Sequence, residues 1–530
     1  MTERRARTSS GILATRSTAL IICIITLAIA AIYLPFVNSF FCGHDDFMEV
    51  YRAKYVNAAD PATLITRSHF DGFKYRPLNH ALVLFSTLMA DGAPWAFRLR
   101  NLLFHLLNVM LVYFLSRSLG AGRGAAISAA ALFGFHPMTN QTLALAVCTN
   151  TTAHAAFLGG LLCLCRMRRD PRVIWPAVAV LLLGAGLFLY EPALMLLPVF
   201  GFWIMWWRFK GERLAGGTNN LLLFWGGALL VVGAYFLLHS LYVPEGRSAA
   251  LAPIAAVIRN SIASVAGLLL PVDPILLHDW LGIALPSRAM LTSAVFWKLA
   301  APLAAAALAA FVLVVYGLFR RGWQKLINCD MVVLLSGAAL LSMQPTLWFS
   351  TFPSETYLYL PLALLAPAFV ELARVAGQTL LGEKGKYLLA GVLVLWLAQA
   401  VSALTLRNYR VKNCGECAYT ILSSLPSSLS QAEAAVIGLI PEAGSLSGRH
   451  YGPYGHLGLD VIGYNWPDEK AVQEAVRLFF KNTNLRVELG RNGVLPSVCH
   501  QGAWCAWVGR DGAVRPVVIS GSTQLFSGNR

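Results

Sequence analysis

Residues 18–40 read TALIICIITLAIAAIYLPFVNSF and are followed, after Phe41, by CGHDDFMEVYRAKY (42–55). The first stretch is 23 residues without a charge. That is longer than the apolar core of a secretion signal, and no small-residue cleavage site follows it. It suffices for an α-helix that crosses a bilayer, which needs about 20 apolar residues. The basic flank MTERRARTSSGILATRS (1–17) favours a retained first helix with residues 1–17 in the cytoplasm.

The rest of the chain repeats this grammar. Of its 530 residues, 57% are hydrophobic and 13% charged, against about a quarter charged in soluble domains. Mean hydropathy is +0.60. Candidate spans are 18–40, 99–116, 122–137, 141–165, 173–190, 192–207, 219–241, 298–319, 330–347, 356–373 and 387–406. Roughly eleven crossings result, and lipid-exposed spans must be helical because each backbone polar group has to be paired within its own segment.

The net charge of +16 would suggest nucleic acid in a soluble protein. Here the cations sit between apolar runs, with no basic stripe interleaved with aromatics, and no nucleic-acid partner is expected. Arg4, Arg5, Arg7 and Arg16 flank the first span, and same-side connections carry Arg117 and Arg123, Arg166 to Arg172, Arg208 to Arg213, Arg320 to Lys325, and Arg374 to Lys386. Alternate loops rich in Lys and Arg mark the cytoplasmic side. The long loops 41–98 and 242–297 and the tail 407–530 therefore face outward, into the periplasm of a bacterial inner membrane. Apolar stretches of the second loop are expected to lie along the membrane surface.

The tail changes composition. EAAVIGLI (433–440) reads as a strand, DEKAVQEAVRLFFKN (468–482) as a helix, and AWCAWVGRDGAVRPVVIS (503–520) as a hairpin around Arg510–Gly512. The fold class expected is an all-α polytopic membrane domain over 18–406 with a small soluble α/β domain over 407–530. No repeat of 20 to 50 residues is visible.

Ionisable residues at membrane boundaries carry the functional signal, and they gather on the outward side. Asp45 and Asp46 are adjacent just beyond span one, where two carboxylates at a low-dielectric edge repel and one titrates high. Lys74 and Arg76 stand in FDGFKYRPLNH (70–80), and arginine can clamp a phosphate bidentately. His136 lies in FGFHPMTN (133–140), Glu191 between two apolar runs in LFLYEPALMLLP (187–198), and Glu355 in FPSETYLYLP (352–361). Plain alternatives exist for each: a solvated loop start, a headgroup anchor, a structural histidine, a water-exposed turn, a helix N-terminal carboxylate. Together they compose a site for a phosphate and a hydroxyl proton.

The order of an outer-loop DD, YRPL, RLRNLLFHLLN (98–108), ALFGFHP, an isolated glutamate and SETYLYLP resembles the GT-C superfamily of membrane glycosyltransferases, near the protein O-mannosyltransferases and their bacterial relatives. The resemblance covers about residues 20–375. It implies a sugar donor linked to a polyprenyl phosphate, a catalytic centre at Asp45 and Asp46, and donor-phosphate contacts from Lys74 or Arg76 with His136 nearby. Relatives often carry a basic residue where this chain has Tyr190, and an arginine where it has Thr356. Those relatives that modify proteins often add C-terminal helical repeats, which this chain lacks.

The reaction implied is an inverting transfer to a hydroxyl on an envelope glycan such as O-antigen, a lipid-linked glycan or a protein, with mannose one candidate sugar. It requires no cofactor, although a divalent ion held by Asp45, Asp46 and Glu191 is compatible with it. Glu191 and Glu355 otherwise line the cavity or meet the acceptor. Two rival readings are a ligase drawing a glycan chain from a pyrophosphate carrier, which would use the same face, and a lipid or oligosaccharide transporter, which would keep its polar residues at the membrane midplane. A non-catalytic membrane sensor is a third. In an oxidising compartment the four cysteines Cys414, Cys417, Cys499 and Cys505 are expected as disulfides rather than zinc ligands; of the three pairings possible, Cys414 with Cys417 and Cys499 with Cys505 is favoured because each closes a short loop.

Overall fold

A computed structural model of the protein describes residues 2–41, 43–67, 74–243, 253–269, 329–347, 355–432, 435–441, 469–489, 496, 498–499, 504–508 and 514–517. Its helices are α1 (Thr2–Val37), α2 (His44–Arg52), α3 (Pro77–Ala90), α4 (Pro94–Ser118), α5 (Arg123–Gly134), α6 (Asn150–Met167), α7 (Ile174–Leu189), α8 (Leu196–Phe209), α9 (Gly217–Tyr242), α10 (Ile254–Leu269), α11 (Asp330–Leu347), α12 (Tyr359–Leu381), α13 (Gly385–Ser423) and α14 (Glu469–Phe480). Among the described residues, six helical segments are long and apolar enough to cross a membrane. They lie in α1, α4, α8 with its preceding turn, α9, α12 and α13. The chain is a multi-pass membrane protein. The expected span 298–319 lies outside the described residues.

The bundle is held by a core that includes Tyr33, Phe36, Val109, Phe133, Leu158, Trp203, Trp207, Leu335, Leu362 and Leu404. Its rim shows lipid-type surface, with Leu20, Phe85, Met205, Leu229 and Leu230 all more than half exposed. Bare leucines on long apolar helices are stable only where the surrounding medium is itself apolar.

Three expectations change. The stretch 41–98 is no open loop. It folds into α2, a π-turn over Ala53–Asn57, a short helix Thr63–Thr66 and α3, while α4 already starts at Pro94. Phe47, Val50 and Ala53 give this segment a buried face against Phe41, Val83 and Phe97. The expected span 141–165 is interrupted: a turn Pro137–Thr139 and a short helix Asn140–Ala144 precede an irregular stretch, and α6 begins only at Asn150. The outer stretch 242–297, of which only Tyr242, Val243 and residues 253–269 are described, also contains α10. That helix docks on the bundle, since Asn260 is buried and donates to the Leu347 carbonyl at 3.2 Å.

The last helix outruns its expected end at 406 and continues to Ser423. Buried Asn408 binds it to the bundle, donating to Ile32 O at 2.8 Å and accepting from Asn140 Nδ2 at 2.6 Å. At Gly415 the backbones of α13 and the end of α1 nearly touch: a Cβ there would meet Phe40 O at 2.5 Å. Cys414 and Cys417 lie within this helix and are not bridged to each other. The expected pairing fails because both thiols belong to one continuous helix rather than to a loop needing closure.

Beyond α13 a four-stranded sheet forms in the order β2-β1-β3-β4, from β1 (Ala435–Pro441), β2 (Leu485–Leu489), β3 (Trp504–Val508) and β4 (Val514–Pro516). β1 runs parallel to β2 and β3, with α14 in the crossover between β1 and β2, and β3 pairs antiparallel with β4. The turn at Arg510–Gly512 lies outside the described residues. Ile437, Leu439, Val472, Val476, Leu485 and Val487 share one core with α2 and the end of α13. A disulfide joins Cys499 to Cys505. It crosses β1 at Gly438, where a Cβ would come within 2.5 and 2.6 Å of the two sulfurs.

The Cys499–Cys505 loop is short, so chain entropy assigns it about 2 kcal/mol. Replacing both cysteines by alanine should make the α/β domain markedly more sensitive to limited proteolysis, and reductant should reproduce the effect in the wild-type protein.

Candidate active site

The site is built on one polar stripe. Arg98, Asn101, His105 and Asn108 recur at helical spacing along α4 and are all buried. Buried polar groups must be paired, and near the outer end of α4 their partners include backbone carbonyls that irregular chain leaves open. Arg98 Nη1 donates to Ser39 Oγ at 2.8 Å and also to Ser39 O, while Nη2 donates to Phe40 O at 2.9 Å. Asn101 Nδ2 donates to Leu145 O at 3.0 Å, and Arg100 Nη2 to Ala146 O at 3.0 Å and Cys148 O at 3.3 Å. Deeper in the bundle, His105 Nδ1 meets Tyr359 Oη at 2.7 Å, and Asn108 Nδ2 donates to Thr151 O at 2.8 Å. The break between residues 144 and 150 is thereby fixed.

That break carries α2. Asp46 is fully buried, and its two oxygens accept from Val147 N at 3.1 Å and Gly43 N at 3.3 Å. Burial pushes its pKa up to about 6, against the pull of Arg98 and the two amides. Asp46 is thus committed to holding the first turn of α2.

Asp45 precedes it, about 100° around the helix, and is partly exposed. It lies within electrostatic reach of Lys74, Cys148 and Tyr357, and of Glu49 one turn along the same face. Glu49 is buried, bonded to Arg52 Nη1 at 3.2 Å, and burial raises its pKa to about 7. Asp45 and Glu474 of α14 add to that rise, and Arg52 and Arg76 oppose it.

Lys74, Tyr75 and Arg76 run into the N-terminus of α3. Tyr75 is buried against Phe188, Tyr235 and Tyr242, which anchors the segment. Burial and the neighbouring Arg76 lower the Lys74 pKa, while Glu191 and Asp45 support its charge. Arg76 forms a bidentate pair with Glu191, Nε to Oε1 at 2.9 Å and Nη2 to Oε2 at 2.6 Å. Its guanidinium also lies over the Tyr190 ring, 4.9 Å from the centroid. Tyr357 stacks beside Tyr190 at 6.0 Å.

The structure therefore pairs Arg76 with Glu191 and puts Lys74 within electrostatic reach of that pair and of Asp45. Asp46 adjoins the group but is turned into backbone contacts. Glu355 opens the turn Glu355–Tyr357, which Gln141 Oε1 holds by accepting from Thr356 N at 3.2 Å; its side chain lies outside the described residues. His136 departs from expectation. Its ring caps the turn at Pro137, accepting from Met138 N at 3.2 Å, and packs on Trp396 at 5.3 Å. None of its described contacts reaches Lys74 or Arg76, because the X-Pro break buries the ring inside the bundle.

The three carboxylates considered for a divalent ion do not form a cage: Asp46 is taken by amides and Glu191 by Arg76. Among the described residues no group of three or more His, Cys, Asp or Glu could hold a metal ion. Arg98, Arg100, Glu49, Cys148, Tyr190 and Tyr357 belong to the site or its support without having stood out as site residues. The spacing of RLRNLLFHLLN was the available signal for the first two.

No family model and no curated protein matches the chain. Solved structures resemble it in outline. One is ArnT from Cupriavidus metallidurans bound to undecaprenyl phosphate, at 12% identity and a TM-score of 0.47, covering 92% of this chain and 93% of that one. The same protein in its apo state gives 12% identity and 0.48, with 93% of each chain covered. The Archaeoglobus fulgidus oligosaccharyltransferase in complex with Zn and sulfate gives 12% and 0.45, covering 83% of this chain and 61% of that one. At these levels the likeness carries no mechanistic weight.

Two measurements check the electrostatics of α2. The folded pKa of Glu49, about 7, lies above its unfolded value, so its share of stability is complete below about 4.5 and is lost as pH rises through 7. Glu49→Gln should match wild type in thermal stability near pH 4.5 and exceed it above pH 7. Asp46→Asn turns an amide N–H toward a backbone donor, at a cost of about 1–3 kcal/mol, and the penalty relative to wild type should shrink as pH rises through about 6, where the buried wild-type carboxylate takes up its charge.

Proposed function

We propose that the chain is an inverting glycosyltransferase that moves a sugar from a polyprenyl-phosphate carrier to a hydroxyl acceptor. The observation that carries this reading is one partly exposed carboxylate, Asp45, within electrostatic reach of Lys74, which stands two residues before the Arg76–Glu191 ion pair. A lipid-linked donor has to be reached at the edge of the bilayer, and this is where the charges gather. The order of sequence blocks resembling GT-C enzymes supports the same reading.

In the step proposed, the acceptor oxygen attacks the anomeric carbon and its proton passes to Asp45. The bond from that carbon to the phosphate oxygen breaks, and its electron pair leaves with the carrier, whose phosphate changes from a monoanionic diester to a monoester that can carry two charges. Lys74 and Arg76 oppose the developing charge. The Glu191 pair keeps Arg76 fixed before the reaction, so no reorganisation is needed when charge develops. Asp46 acts through position alone, by holding the helix that presents Asp45.

The positive-inside pattern supports placing this end, with the α/β domain, on the periplasmic side of a bacterial inner membrane. There the acceptor would be an envelope glycan such as O-antigen, a lipid-linked glycan or a protein, and mannose is one sugar to try.

The experiment is sugar transfer in proteoliposomes supplied with a panel of polyprenyl-phosphate hexoses and pentoses. General base catalysis contributes about 10²- to 10⁴-fold, and Asp45→Asn should lose activity on that scale while melting like wild type. Transfer at the wild-type rate by this variant would refute the assignment.

A further inference from the structure

Tyr190 sits where the chain changes direction. α7 ends at Leu189, Tyr190 is extended (φ −163°, ψ 114°), and Glu191 opens a turn with Pro192 next. Both consecutive side chains reach the same partner. Glu191 takes the Nε and Nη2 edge of the Arg76 guanidinium, and the Tyr190 ring takes its face. Arginine has five N–H donors in a rigid plane, so these contacts fix both the tilt and the rotation of the group. Among the described residues no hydrogen bond engages Nη1, although Arg76 as a whole is 9% exposed.

Tyr190 itself cannot swing away. It is 3% exposed, lies nearly parallel to Tyr357, and meets the edge of His154 at 5.8 Å. Its hydroxyl is buried and has no hydrogen-bond partner among the described residues. A buried hydroxyl without a partner is a cost, so the ring rather than the hydroxyl is what the site uses here.

We propose that Tyr190 is a positioning residue for a lipid phosphate: with Glu191 it locks Arg76 so that the Nη1 edge is the one presented to the phosphate of the carrier. This rests on the transferase reading above and adds to it the element that aims the cation. A carboxylate alone would leave the guanidinium free to rock about the axis of the pair, and the ring face removes that freedom. Cation–π contact strengthens when both groups are desolvated, as they are here.

The test is equilibrium binding of polyprenyl phosphate to the purified full-length chain in nanodiscs. Tyr190→Leu removes the ring and should weaken binding about tenfold, the effect of a desolvated cation–π contact. Tyr190→Phe keeps the ring and should restore affinity to within about twofold. In an Arg76→Gln background, Tyr190→Leu should add nothing. The proposal is overturned if Tyr190→Leu binds like wild type, if Tyr190→Phe is as weak as Tyr190→Leu, or if the leucine penalty persists without Arg76. Tyr190→Met repeats the comparison should the leucine variant fold poorly. Wild-type affinity in Arg76→Gln would instead remove Arg76 from phosphate binding, a failure of the transferase reading that is separate from the other outcomes.

Discussion

The structure depends on backbone carbonyls of an interrupted helix being satisfied by side chains of α4. Irregular chain inside a membrane bundle is tolerable only where its polar groups are paired by protein. Arg98, Arg100 and Asn101 meet that demand for residues 144–148 and for the end of α1. With these bonds in place, Val147 N has a fixed position, Asp46 has an acceptor role, and α2 has a defined start.

Adjacent residues of like chemistry are divided by this arrangement. Asp46 is spent on amides, while Asp45 is partly exposed. Lys74 and Arg76 are likewise divided: Arg76 is neutralised and held by Glu191, while Lys74 is a partly buried ammonium whose charge its acidic neighbours sustain. Fixed charges in a poorly solvated site act more strongly than mobile ones in water, so immobilising the pair serves the proposed chemistry better than adding cations would.

The α/β domain is part of this support. α14 lies on α2, with Arg477 over the Tyr51 ring at 5.9 Å and Phe479 against Phe40 and Tyr419. Lys481 and Lys54 share Asp91 at 3.3 and 2.6 Å. One apolar core runs from the sheet into the loop helices. The domain therefore braces the segment that bears Asp45.

The sequence by itself determined the membrane character, the positions of most spans, and the strand and helix of the tail. Apolar length and period are local properties, and they survive without knowledge of neighbours. Among the charges the sequence singled out beside apolar runs, Arg76 and Glu191 meet as an ion pair. Tertiary structure alone decided which aspartate is spent on backbone, that His136 turns inward, that 141–165 is broken, and that Cys414 and Cys417 ride one helix. Each of these turns on pairing between groups distant in the chain, such as Asp46 with Val147 or Arg76 with Glu191. Pairing energy belongs to positions in space, and no local pattern encodes it.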